Sequence, residues 1–146
     1  MKKSLMALLM VMISIIVCAE EKGNLKVTVE KFEKMKGCLK IAVFNSEDGF
    51  PSDISKSITT ASIKVGETKI TKVFDNLPLG EYGVTVYYDE NSNDKLDTGM
   101  FGMPKEAVGT SNNPKPRMGP PLYKDAKFML EEKGKEIIIK LNPVSK

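Results

Sequence analysis

An all-β fold is what this sequence predicts: an antiparallel β-sandwich of about seven strands with one long ordered loop excursion. Two observations carry that reading. Apolar and polar residues alternate in several short runs, which is the two-residue period of a half-buried strand. Past the N-terminal segment, no stretch repeats its apolar residues at the spacing of a long amphipathic helix. Gly, Pro, Asn and Asp clusters punctuate the runs.

The N-terminus comes first and is a targeting segment. Lys2 and Lys3 form a basic start, Leu5 to Val17 is apolar apart from Ser14, and Val17-Cys18-Ala19 ends in small or compact residues. This pattern predicts a secretory signal peptide over residues 1–19, with an apolar run short for a membrane span. A lipoprotein signal with Cys18 as the lipidated residue competes with it, although Val17 occupies a place where such signals prefer a smaller residue. An uncleaved anchor is the third option. Residues 20–146 then form a single domain exported to the periplasm or beyond, with no membrane span of its own.

Loss of the leader removes two of the 22 Lys+Arg and none of the 19 Asp+Glu, leaving 20 against 19 and a net charge of +1. No strong overall field favours nucleic acid or acidic lipid. Cys38 is then the only cysteine, so no intramolecular disulfide can form. Within a strand it reads as a small buried hydrophobe rather than a nucleophile. There is no histidine, which excludes Ser-His-Asp and Cys-His nucleophile systems and histidine zinc sites.

The strands follow in order. Leu25, Val27 and Val29 alternate with Lys26, Thr28 and Glu30; in Gly37 to Phe44 the residues Leu39, Ile41 and Val43 share a face. Asp53 to Ser57 allows one helical turn. Ile58 to Val65 and Thr68 to Phe74 are two strands read as a hairpin about Gly66-Glu67. Leu77-Pro78-Leu79-Gly80 fits a type I turn, with proline second and glycine fourth. Tyr82, Val84, Val86 and Tyr88 line one face of the next strand, and that face reads as core rather than as an aromatic platform. Lys127 to Leu130 and Lys135 to Leu141 close the fold about Gly134.

One connection breaks the pattern. Residues 89–123 are far longer than a hairpin loop, and such loops tend to be functional or disordered. The apolar residues spread through them, Leu96, Met100, Phe101, Met103, Val108, Met118 and Leu122, argue against disorder. The expectation is an ordered excursion packed along the sandwich.

Phe74-Asp75-Asn76-Leu77-Pro78-Leu79-Gly80-Glu81-Tyr82 resembles the motif of prealbumin-like β-sandwich modules, the carboxypeptidase regulatory-like and collagen-adhesin B-type domains. A closer likeness runs through Ile41-Ala42-Val43-Phe44-Asn45, Gly49-Phe50-Pro51, Asp89-Glu90-Asn91, Lys95-Leu96-Asp97-Thr98, Phe101-Gly102-Met103-Pro104-Lys105-Glu106, Gly109, Ser111-Asn112-Asn113 and Gly119-Pro120-Pro121. In these the chain resembles the exported bacterial proteins of domain-of-unknown-function family 2141. The resemblance implies export and a β-sandwich, and brings no mechanism with it.

Three candidate sites emerge. Asp89, Asn91, Asn93 and Asp97 place oxygens at every second or fourth position, as a loop does around calcium in the EF-hand manner. Asp94 stands where that loop takes glycine, and Met100 where a bidentate glutamate closes it; Glu90 or Glu106 could substitute from elsewhere. With two charged side-chain ligands the affinity expected is weak, about 0.1 to 1 mM. Collagen-adhesin-type domains with similar acidic loops bind calcium, a likeness that favours the metal by analogy. The bland alternative is a solvated turn, since Asn and Asp bond their own backbone. The second site is a ligand surface formed by Lys105, Asn112, Asn113, Lys115 and Arg117, fitted to an anionic envelope or extracellular ligand; the alternative is that Arg117 ties the loop to the sandwich. The third is a carboxylate pair acting as a hydrolase, Asp89 with Asp97 or Glu106, which would need two facing carboxyls roughly 5 to 9.5 Å apart. Together these point to a non-catalytic binding or accessory module of the cell envelope, with a purely structural or assembly protein as the alternative.

Overall fold

A computed structural model describes residues 20–115 and 117–144 of the chain. The expected leader, residues 1–19 with Cys18, lies outside the described residues. Eight strands form two sheets: β1 Lys22–Glu30, β2 Cys38–Phe44, β3 Thr59–Lys64, β4 Lys69–Pro78, β5 Gly80–Asp89, β6 Val108–Thr110, β7 Phe128–Leu130 and β8 Lys135–Lys140. A short helix, α1, spans Tyr123–Ala126, and a 3-10 turn spans Ile54–Lys56, where Asp53 Oδ1 accepts the Ser55 N–H at 3.1 Å. Among the described residues, the strands of both sheets fall within residues 22–140.

The smaller sheet runs β4-β1-β8 and the larger β3-β2-β5-β6, with β7 also paired to the start of β5. All ladders are antiparallel except β1 with β8, which run parallel. The alternating residues face inward as their period requires. Leu25, Val27 and Val29 of β1 meet Leu39, Ile41 and Val43 of β2, with Tyr82, Val84, Val86 and Tyr88 of β5 and Ile137 and Ile139 of β8, all buried. The two-sheet architecture is compatible with the prealbumin-like resemblance.

Two local expectations are corrected by the sheets. β3 pairs with β2 and β4 with β1, so Gly66-Glu67 lies in a crossing between sheets rather than in a hairpin turn. Val65, 1% exposed, plugs the space between the layers and donates its N–H to Gly37 O at 2.9 Å. Leu77 to Gly80 likewise is no type I turn. β4 stays extended through Pro78, β5 starts at Gly80, and the chain passes between the sheets there. Tyr82 holds this corner by donating its hydroxyl to Pro78 O at 2.7 Å, four residues upstream, which is what the Leu-Pro-x-Gly-x-Tyr pattern encodes. Cys38, expected buried, is only partly so, because Leu39 takes the inward position and Cys38 faces out beside Ser92.

The excursion contributes β6 and runs into α1 at Tyr123, neither legible as an element beforehand. Its early part leaves the sandwich, and its later part returns to cover the outer face of the larger sheet. There Phe44, Phe50 and Tyr123 stack edge to face at 5.4 and 5.5 Å over Gly83, the one position of β5 where a side chain would collide with Tyr123.

Candidate functional site

β5 ends at Asp89, set opposite Cys38 by its register with β2. The Asp89 carboxylate is fully buried, and both its oxygens are used. Oδ1 accepts the Asn93 N–H at 3.1 Å and Oδ2 the Asp94 N–H at 2.9 Å. Asn91 Oδ1 accepts from Asn93 N–H at 3.0 Å, and Asn93 Oδ1 from Lys95 N–H at 2.9 Å, so successive side chains close successive turns. The amide groups of Asn91 and Asn93 donate to the two oxygens of Asp97 at 2.7 and 3.0 Å. Asp89, Asn91, Asn93 and Asp97 are therefore brought together. Asp94, at the place of the EF-hand glycine, has the left-handed backbone that place requires, with φ +63°.

Glu106 joins them from the far side of the loop. Its Oε1 accepts the Glu90 N–H at 3.0 Å and its Oε2 the Asp97 N–H at 3.1 Å, so one carboxylate ties the start of the loop to its end. Burial pushes the Glu106 carboxyl above its ordinary value; the Asp97 and Glu90 N–H groups pull the other way, and the charges of Asp97 and Asp89 add to the rise. Among the described residues, no three His, Cys, Asp or Glu side chains are grouped to hold a metal ion. The arrangement is one of mutual side-chain and backbone bonds, with two asparagines supplying the remaining oxygens.

Between Asp97 and Glu106 the chain makes a small finger. Lys105 donates its N–H to Asp97 O at 2.7 Å, Thr98 bridges to Pro104, and Gly99 donates to Met103 O at 2.7 Å. At its tip Met100, Phe101 and Met103 are 79%, 94% and 61% exposed, and Phe101 has φ +61°. These side chains do not pack along the sandwich as expected. The Thr98–Pro104 bridge turns the chain back before it reaches the sheet, and the part that docks starts only at Ala107. Periodicity could not reveal this; the one sequence signal was an apolar pair, Met100-Phe101, set between two glycines.

The charges around the finger are unequally engaged. Lys40 pairs with Asp94, and Lys34 and Lys36 hold Glu90 at 2.6 and 2.8 Å, which keeps that carboxyl below its ordinary value. Lys95 and Lys105 enter no ion pair among the described residues.

The second predicted surface does not assemble. Lys105 lies at the finger, by the C-terminal end of β5. From there the chain runs back along β5, with Val108 opposite Tyr87 and Thr110 opposite Thr85, and carries Asn112, Asn113, Lys115 and Arg117 toward the strand's other end. Asn112 donates to Lys127 O at 2.8 Å, beside β7. Asn113 donates to Ile138 O and accepts from Lys140 N–H, both at 2.7 Å, occupying the free edge of β8 as a strand would. Both asparagines are thus engaged with the protein's own backbone. Arg117 meets Asp125 at 3.4 Å and stays about half exposed, partly tied to its own loop and partly in solvent. Lys115 is exposed. Two shallow grooves lie elsewhere, one beside Leu79, Gly80 and Met129 to Lys133, the other between β3 and β4 over Phe74.

Compared with known proteins, the chain matches a family model described as "Uncharacterized protein conserved in bacteria (DUF2141)" over residues 27–138. No curated protein and no solved structure matches it.

Proposed function

The chain belongs to that family of uncharacterized bacterial proteins, and on that footing we propose that it is an exported, non-catalytic binding module of the cell envelope whose contact element is the 98–104 finger. The observation that carries this reading is the exposed apolar tip, Met100, Phe101 and Met103, on a base tied down by the Asp89 and Glu106 carboxylates. Leaving large apolar side chains in water forgoes roughly 1.5–3 kcal/mol for each that could have been buried. A partner that covers them gives that arrangement a use. The non-catalytic reading is supported by the engagement of both oxygens of Asp89 and of Glu106 with backbone N–H groups. Export rests on Lys2, Lys3 and the apolar run that follows. A photo-crosslinking residue in place of Phe101 should label an envelope component in cells, well above the same residue in place of Ile138 on the outer face of the smaller sheet. Equal labelling at the two positions removes this reading.

A second reading, weak structural calcium in the 89–97 loop, is favoured by the convergence of Asp89, Asn91, Asn93 and Asp97 and by the left-handed Asp94. Calcium there would draw the asparagine oxygens and Asp97 inward and stiffen the finger's base. Thermal unfolding in chelator and then in several millimolar calcium, with magnesium as control, tests it. A ligand held only by the folded state at about 100 times its Kd adds about 2.7 kcal/mol. A calcium-selective rise in Tm that Asp97→Ala abolishes is the expected result, and an unchanged Tm leaves the loop an ordinary turn.

A further inference from the structure

We propose that β3 pairs with β3 of a second copy of this chain, so that the larger sheet runs on from one copy into the other. The inference stands apart from the finger and rests on how the fold treats its sheet edges. An open edge presents unpaired N–H and C=O groups and so calls for a strand; proteins blunt such edges with charge, proline, bulges or a covering group. Among the described strands, three of the four edges are blunted. Asn113 occupies the edge of β8, and Val108 O of β6 accepts the Asn142 N–H at 2.8 Å. β4 carries Lys69, Lys72 and Asp75 and ends at Pro78. It also bulges where Asp75 and Asn76 stand against Asn24, with Asn76 at φ +56°.

β3 has none of these devices. Its register on β2 runs unshifted from Thr59 to Lys64, with no proline or glycine and a single charge, Lys64, at its end. Val65 N–H bonds Gly37 O, and ladder bonds recur at every second residue. Thr59, Ala61 and Ile63 therefore bond β2, while Thr60, Ser62 and Lys64 turn their N–H and C=O groups outward. Among the described residues no other backbone group bonds them. The edge suits its own copy. Antiparallel pairing about Ser62 puts Thr60 opposite Lys64 of the other copy on either side, so no like charges meet. Three pairs each exchange two bonds, about six in all. The same register sets Ala61 beside Ile63 of the other copy; both are half-buried against the core, and their open sides close on each other. Such a pair is symmetric and closed. β3 and β5 are both antiparallel to β2 and so run in one direction, which the two-fold reverses in the second copy; the two fingers leave the joined sheet at opposite ends.

Sedimentation equilibrium tests this on the protein purified from cells that express the full chain. A contact one strand pair long is weak, so the mass should rise from one copy toward two across about 10 μM to 1 mM. Over the same range the amides of Thr60, Ser62 and Lys64 should exchange more slowly, and those of Thr59, Ala61 and Ile63 should not change. Ser62→Pro removes an outward N–H and spares the β2 ladder; it should weaken pairing about tenfold or more. Ser62 is exposed, so Ser62→Lys and Ser62→Glu should keep the parent's Tm at low concentration. Each sets like charges face to face and should weaken pairing severalfold, and mixing the two should restore it. A mass of one copy across the whole range, association without slowed exchange at alternate amides of β3, or association indifferent to all three Ser62 variants overturns the inference. Association lost in Phe101→Ser but kept in Ser62→Lys would place the contact at the finger and overturn it as well.

Discussion

Phe101 holds its ring in solvent on a left-handed backbone, and both features oppose stability. For a residue with a Cβ, that conformation costs about 1–2 kcal/mol, part of which glycine would give back as lost chain entropy. Phe101→Gly should therefore raise stability by about 0.5–1 kcal/mol in chemical denaturation while removing the contact ring; a drop in stability would mean the ring packs where the structure shows it free. Asp89 is the opposite case. It is fully buried and satisfies two N–H groups, so Asp89→Ala leaves both without an acceptor and should cost about 2–4 kcal/mol. Asp97→Ala, whose partners can turn to water, should cost under about 1 kcal/mol. Equal costs at the two positions would contradict the division between a buried keystone and a surface ring. Such a contrast in one short loop separates residues that shape the finger's base from residues that only rim it.

At the scale of elements, the long excursion is fastened at three places by side chains standing in for strands. Glu106 joins the two ends of the acidic loop, Ser111 accepts the Val84 N–H at 2.9 Å, and Asn113 caps the edge of β8. The last also answers a hazard, since an open strand edge is a template for association. Asn113→Ala should cost about 1–2 kcal/mol. It should also speed amide hydrogen exchange at Lys140, which loses its acceptor, and leave the amide of Val84 unchanged. Uniform acceleration across β8 and β5 would instead mean that the sandwich unfolds as one unit with its loop. Gly37 serves a similar end: its φ is +71°, and a Cβ there would lie 2.8 Å from Glu90 Cα, so β2 can start only with glycine pressed against the acidic loop.

For the whole molecule, the four tyrosines share one behaviour. Burial raises the phenol pKa of Tyr82, Tyr87 and Tyr88, and it pushes Tyr123 up to about 12. A group whose folded pKa lies above its unfolded value of 10.0 contributes stability in full below that value and loses it as pH rises through the folded one. The domain should therefore lose stability from about pH 10 toward about pH 12 as unfolded tyrosines ionise first. Tyr123→Phe should make that decline shallower, followed by phenolate absorbance and by denaturation at each pH; an identical slope would place Tyr123 in water rather than beneath Phe50. With no disulfide among the described residues, the interlocking faces of two sheets and this aromatic cover carry the fold.

The sequence by itself determined the longer strands and their inward faces. Alternation in Leu25 to Glu30, in Leu39 to Val43 and in Tyr82 to Tyr88 states which side chains leave water, because in a strand that choice is made two residues apart. The same short range made the acidic loop legible, since Asp89, Asn91 and Asn93 each bond a backbone group two to five residues on. What only the tertiary structure decided was which strands become neighbours and which loop residues meet. Gly66-Glu67 reads equally well as a hairpin turn or as a crossing, and only the register of β3 on β2 and of β4 on β1 selects the crossing. Lys105 and Arg117 stand close in the chain, yet the pairing of β6 on β5 sends them toward opposite ends of one strand. Met100 and Phe101 look like core residues until the Thr98–Pro104 bridge turns them away from it. Burial on a strand follows from local period, whereas contact across a loop depends on chain closure over many residues, and no short window of sequence contains that.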